Sequence, residues 1–195
     1  MRHSQMDNAV GPGTSPGHRH RGLKYLLLLS LAGLTGCSGV PVESYLAERP
    51  EFKLEEYFNG TLDGWGMFQK RDGAVVKRFK VVVEGEWSGD QGVLDERFTY
   101  SDGTQQRRVW HITRTAEGDY RGEAADVVGL AHGRVSGNAL HWNYTLNLPV
   151  DEKVYQVYFD DWMFLQEGGV VINRSVMKKF GFRLGEVTLF FKKRP

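Results

Sequence analysis

The chain has 195 residues, with 25 Lys and Arg against 24 Asp and Glu, a net charge of +1 and a single cysteine. So even a balance, without a basic stripe in the sequence, argues against a nucleic-acid partner, and one cysteine excludes an intramolecular disulfide. With 41% hydrophobic and 12% aromatic residues, the chain can bury one domain's core.

In chain order, the first segment is a basic lead (Arg19, Arg21, Lys24), the apolar run Tyr25–Leu34 and a small-residue exit, Thr35-Gly36. These are the three parts of an export signal. The run has ten residues, whereas crossing a bilayer takes about 20, so the expectation is a cleaved signal over residues 1–36. Leu34-Thr35-Gly36-Cys37 resembles a bacterial lipobox. That resemblance implies that Cys37 is diacylated, freed by cleavage and acylated once more on its new amino terminus. Two or more acyl chains are what firm anchoring requires, and acylation also removes a thiol that would be a liability in an oxidising envelope. Ser38 rather than Asp follows the cysteine, which by resemblance to enterobacterial lipoproteins implies the outer membrane, with the domain facing the periplasm. Residues 37–50, with breakers at Pro41 and Pro50, read as a lipidated tether, and 51–195 as the domain.

Phe52–Phe58 reads as a strand or one helical turn, ended by Asn59-Gly60. Beyond it, turn signals such as Asp72-Gly73, Asp102-Gly103, Gly137-Asn138 and Gly168-Gly169 cut the chain into short runs rich in β-branched and aromatic residues. Strands are predicted near 65–70, 75–87, 93–101, 104–114, 119–125, 127–136, 139–147, 153–165, 169–178 and 185–193. Several runs alternate cleanly. Phe79, Val81 and Val83 share one face, and Leu140, Trp142, Tyr144, Leu146 and Leu148 another. One dry face per strand predicts an all-β, up-and-down antiparallel barrel of about 8–10 strands, since closure removes exposed edges.

A barrel of that size has an interior that is either filled by side chains or holds one small ligand. Trp110 and Trp142 fall on predicted dry faces, and Trp162 lies in the dense run Tyr158-Phe159-Asp160-Asp161-Trp162-Met163-Phe164. These rings either pack the core or line a cavity. Gly129, Ala131 and Gly133 alternate on one face, which either leaves room inside or lets the sheet bend. Three charges share faces with apolar residues: Arg108 with Trp110, Arg174 with Val170, Ile172 and Val176, and Glu96 with Leu94 and Phe98. A buried charge needs a partner. An interior arginine would meet Glu96, Asp160 or Asp161, or else grip the carboxylate or phosphate of a ligand whose tail lies along the tryptophans.

Tyr57-Phe58-Asn59-Gly60, Gly64-Trp65-Gly66-Met67-Phe68, Leu94-Asp95-Glu96-x-Phe98-x-Tyr100-x-Asp102-Gly103 and Arg108-x-Trp110 resemble, in order, the pattern of a bacterial lipoprotein family catalogued as a domain of unknown function (number 3833). So do Asp160-Asp161-Trp162-Met163, Asn173-Arg174-Ser175-x-Met177-x-Lys179-x-Gly181 and Gly185–Phe191. The resemblance implies a lipocalin-like, calycin-type barrel on the envelope. It carries over no catalytic residue.

No nucleophile elbow, zinc-protease helix, phosphate loop or dinucleotide fingerprint occurs. His111 and His141 fall opposite Trp110 and Trp142, and the adjacent Asp160 and Asp161 point to opposite faces of a strand. The sequence therefore assigns no catalytic residue, cofactor or metal. It predicts a lipid-anchored barrel that binds or carries a small apolar ligand, an acyl lipid or a lipid-derived product, with Arg174, Arg108, Trp110, Trp142, Trp162, Asp160 and Asp161 as candidate ligand-binding residues. A solidly packed structural or interaction module and a lipid-modifying enzyme are the alternatives.

Overall fold

The turn residues after Pro50 divide the chain as the alternation requires, and in the computed structural model, which describes residues 39–150 and 152–195, nearly every segment between them is extended. The strands are β1 (Gly60–Lys70), β2 (Val75–Ser88), β3 (Gln91–Tyr100), β4 (Gln105–Arg114), β5 (Tyr120–Glu123), β6 (Ala131–Ser136), β7 (Ala139–Val150), β8 (Lys153–Leu165), β9 (Val170–Lys179) and β10 (Phe182–Lys193). Each is antiparallel to the next, and β1 closes on β10 with Leu62 opposite Lys193 and Lys70 opposite Gly185, so the ten strands form a closed barrel. Closure gives every strand two neighbours, although the short β5 pairs only with His111–Arg114 of β4 and β6 only with Ala139–Asn143 of β7.

Side-chain alternation decides the inner wall. On β2, Phe79, Val81 and Val83 are buried while Arg78, Lys80 and Glu84 face out; on β7, Leu140, Trp142, Tyr144 and Leu146 are buried. The outer wall over β2–β4 carries Glu84, Asp95, Arg97 and Arg107, linked by ion pairs of 2.7–3.0 Å. Such a wall suits water rather than acyl chains, among which an arginine or lysine at the midplane costs about 2–4 kcal/mol and an acid less. Two hairpin turns are pinned locally, with Asp72 and Asp102 carboxylates accepting from the amides of Ala74 and Thr104 at 3.0 Å.

One end of the barrel is plugged. A 3-10 turn at Val42–Tyr45 and a single helical turn, α1 (Leu54–Tyr57), bring Phe52, Leu54, Tyr57 and Phe58 over the β10–β1 side, each at most 7% exposed. Burying four such side chains contributes on the order of 1.5–3 kcal/mol apiece. The backbone of this segment lies so close to the barrel that only glycine fits beneath it. A Cβ on Gly85 would stand 1.7 Å from the Phe58 carbonyl oxygen, and one on Gly137 at 1.7 Å from that of Tyr45. The Phe52 amide donates to the Gly137 carbonyl at 2.8 Å, and the Tyr57 hydroxyl is 3.1 Å from the Gly169 and Phe191 carbonyls.

Several boundaries move. Phe52–Phe58 forms the helical turn rather than a strand, and the segment expected as a tether is packed onto the barrel from Val42 onward, with Val42 buried and Tyr45 edge-on to Phe164 (5.2 Å). The first strand starts at Gly60, and residues 127–130 form a loop with a single bridge, Val127 to Leu146. The small-residue face of β6 leaves no space. A Cβ on Gly133 would meet the Trp142 ring at 2.1 Å, so the indole occupies the room. Val40–Pro195 is a compact unit that contains all ten strands and the whole hydrophobic cluster, which is what an independently folding domain requires. The expected signal segment, Cys37 and Ser38 lie outside the described residues.

Candidate functional site

Inside the barrel, the inward rows of β2–β4 and β7–β10 stand back from one another and enclose a cavity of about 140 Å³. Most of its wall is aromatic or aliphatic, including Phe79, Trp110, Trp142, Phe159 and Leu189. The α1 plug closes it at one end through Leu54 and Phe58. At the other it reaches solvent past the half-buried Tyr100 and the exposed Gln106, whose side chains are joined by a 2.6 Å hydrogen bond.

Polar groups enter from two opposite walls. From β3 and β4 come Glu96 and Arg108, directly paired in register. The Arg108 guanidinium donates through Nε and Nη2 to both oxygens of Asp126 (2.7–3.1 Å), while Nη1 stands 3.8 Å from Glu96. Burial pushes the Glu96 carboxyl up to about 7, the nearby guanidinium only partly opposing it. From β7–β9 come Tyr144, Asp161, Asn173 and Ser175, the last three only 3–4% exposed. Asn173 Nδ2 donates to Asp161 Oδ1 and to the Trp162 carbonyl (3.0 Å), and the Tyr144 hydroxyl is 3.4 Å from Asp161 Oδ2. Burial raises the Asp161 carboxyl to about 6, with the Asn173 and Tyr144 contacts pulling the other way. The Ser175 hydroxyl, near that of Tyr144 but outside hydrogen-bond geometry, is buried with no partner among the described residues. A buried hydroxyl without a partner is uncommon, because the lost hydration is uncompensated.

Of the residues singled out from the sequence, Arg108, Trp110, Trp142 and Asp161 line this cavity. Arg174, Asp160 and Trp162 do not. Arg174 lies on the outer wall, its side chain 60% exposed and its Nε 3.1 Å from Glu186. Val170, Ile172 and Val176 share that outer face, whereas the inward row is Val171, Asn173, Ser175 and Met177. Both faces of β9 are part apolar, so alternation pointed the wrong way. Of the two inward polar residues, Asn173 donates to Asp161, while Ser175 stands opposite it in register without a hydrogen bond. Trp162 is likewise outside, stacked on the His141 imidazole (4.1 Å, 16°) and flanked by Tyr45 and Phe164. Asp160 sits beside it, accepting from Lys178 Nζ at 2.7 Å and 2.7 Å from His141 Nε2. The His–Asp contact therefore belongs to the outer wall and does not reach the cavity. Nor is Arg108 open to an anionic head group, because Asp126 already holds its fork. Asp126, Tyr144, Asn173 and Ser175 had not been singled out. Tyr144 carried a signal through its place in the alternating row Leu140–Leu148, and Asn173 and Ser175 through their spacing between Val171 and Met177.

The family described as "Protein of unknown function (DUF3833)" matches residues 31–193. The chain belongs to this family. No curated protein matches it. The DUF3833 match runs through every strand of the barrel and through both polar walls of the cavity.

Proposed function

We propose that this DUF3833 barrel is a lipoprotein, anchored through Cys37 to the outer membrane and facing the periplasm, that binds or carries one small apolar molecule, acyl-derived or otherwise lipid-derived. The observation that carries the reading is the Ser175 hydroxyl left without a partner, beside the Asp161 carboxyl, in a cavity whose wall is mostly apolar. A ligand bearing a hydroxyl or amine would bond Asp161 and Ser175 while its apolar part lay against Trp110, Trp142 and Phe159. An engineered cavity of about 150 Å³ accepts benzene, so the resting space suits a ring or a tail of about six carbons, and a longer chain would continue out past Tyr100. Buried polar groups fix orientation in such pockets, and apolar walls supply most of the affinity.

The test is native mass spectrometry with lipid extraction on the chain purified from bacterial envelopes. A stoichiometric small molecule, lost in Ser175→Val, is the expected result. A bare mass that stays bare when envelope lipids are added would refute ligand binding and point to a packed interaction module. The anchor is tested separately by labelling with a palmitate analogue and by membrane fractionation. Cys37→Ser is expected to abolish the label and release the protein from the outer-membrane fraction.

A further inference from the structure

The end of the barrel opposite the α1 plug is where the large apolar side chains left exposed are concentrated. The β9–β10 hairpin presents Phe180 (89% exposed), Phe182 (73%) and Leu184. Beside it, where β1 closes on β10, the start of β2 presents Val75 and Val76, and on the other side the β7–β8 hairpin presents Val150 and Val154. Scattered exposed apolar residues need no explanation, but a contiguous set on one rim marks an interaction surface.

The tip of the β9–β10 hairpin is the most telling position. Phe180 and Gly181 form a two-residue turn with φ of 50° and 80°. Both central residues of such a turn need positive φ, which favours Asn-Gly and disfavours a bulky side chain. Phe180 is the only described residue other than glycine at positive φ. Folding gains nothing from a strained, almost fully exposed phenylalanine, so its presence calls for another reason.

Charge supplies the occupant. The whole chain is nearly neutral, yet residues 70–78 carry Lys70, Arg71, Lys77 and Arg78 against Asp72 alone. Residues 178–184 carry Lys178, Lys179 and Arg183 with no acid. Asp102 of the β3–β4 hairpin meets Lys77, Asp160 and Glu186 meet Lys178 and Arg183, and the β7–β8 turn adds Glu152 beside Lys153. The basic excess is therefore confined to the β1–β2 and β9–β10 hairpins, where Lys70, Arg71, Arg78 and Lys179 stand against Asp72 alone. Lys179 lies over the Tyr155 ring at 4.0 Å, its ammonium close to the Phe180 ring. Aromatic and aliphatic tips interleaved with lysine and arginine match the boundary between anionic head groups and acyl chains.

We propose that this open end docks onto an anionic phospholipid surface, with Phe180 and Phe182 inserted among the head groups and the basic residues of the two hairpins held to phosphate. The cavity mouth would then face the lipid directly. The inference rests on the rim alone and does not require the cavity to be occupied.

The test uses the independently folding unit Val40–Pro195, free of any anchor, in co-sedimentation with phosphatidylethanolamine vesicles with and without phosphatidylglycerol. Binding is expected only with the anionic lipid, weakened by salt, with slowed amide exchange confined to residues 70–78 and 178–184. Phe180→Asn with Phe182→Ser should lower the affinity about ten-fold or more, and Arg71→Glu with Lys179→Glu likewise. Asn suits the turn, so the thermal midpoint of Phe180→Asn should equal or exceed that of the parent while vesicle binding falls. Equal binding to neutral vesicles, or binding that neither pair of substitutions reduces, overturns the proposal. So does a dimer abolished by the phenylalanine substitutions in the absence of vesicle binding, which would assign the rim to a second copy.

Discussion

Asp161→Asn is the substitution whose outcome follows most directly from the cavity. Asp161 is 4% exposed, and burial holds its carboxyl up to about 6, against about 3.9 when solvated. A folded state that holds the proton more tightly than the unfolded one gains stability at low pH. That gain is complete below the ordinary carboxyl range and is lost as pH rises through about 6. At about 1.4 kcal/mol for each pH unit, the ionised Asp161 costs the fold roughly 3 kcal/mol near pH 8. Asparagine keeps the oxygen that accepts from Asn173, and its amide can donate to the Tyr144 hydroxyl, so the hydrogen bonds survive and only the charge is lost. Urea denaturation of the Val40–Pro195 unit near pH 4 and near pH 8 measures the difference. The variant should match the parent in acid and exceed it by as much as roughly 3 kcal/mol in alkali. Taking the difference between the two proteins removes the contribution of surface acids such as Asp63 and Asp95, whose carboxyls their Arg194 and Arg107 partners hold low. A variant less stable than the parent near pH 8 would refute the reasoning, because it would mean that the buried carboxylate is compensated in full.

The other expectations concern the two arginines, the plug and the cavity. Arg108→Met strips the countercharge from Asp126 and Glu96 and should cost about 3 kcal/mol in urea denaturation, whereas Arg174→Ala breaks an exposed pair and should stay within about 1 kcal/mol with ligand retention unchanged. Gly85→Ala drives a methyl into the Phe58 carbonyl and should cost about 1–3 kcal/mol, seen as a lowered thermal midpoint and faster amide exchange in residues 52–58. Leu148→Trp, which enlarges a side chain of the cavity wall, should reduce the bound small molecule seen by native mass spectrometry while the barrel still unfolds in one transition.

What was legible in the sequence followed from local rules. Turn chemistry at Asp72-Gly73 and Asp102-Gly103 and period-two alternation in β2 and β7 specify antiparallel strands, and these signals are carried by residues a few positions apart. The positions of Glu96 and Arg108 on the inner wall were legible for the same reason, Glu96 lying between Leu94 and Phe98 and Arg108 two positions before Trp110. Alternation failed on β8 and β9, where Tyr45 of the plug segment covers part of the outer wall and Asn173 and Ser175 face inward, Asn173 to meet Asp161. An alternating pattern cannot say which of two half-apolar faces is the inner one. Only the tertiary structure decided that Trp142, rather than empty space, fills the room beside Gly133, and that Asp126 takes the Arg108 fork. It also decided that hairpins far apart in sequence gather their basic and aromatic tips on one rim. Closing β1 onto β10 makes those residues neighbours, and no spacing along the chain encodes that contact.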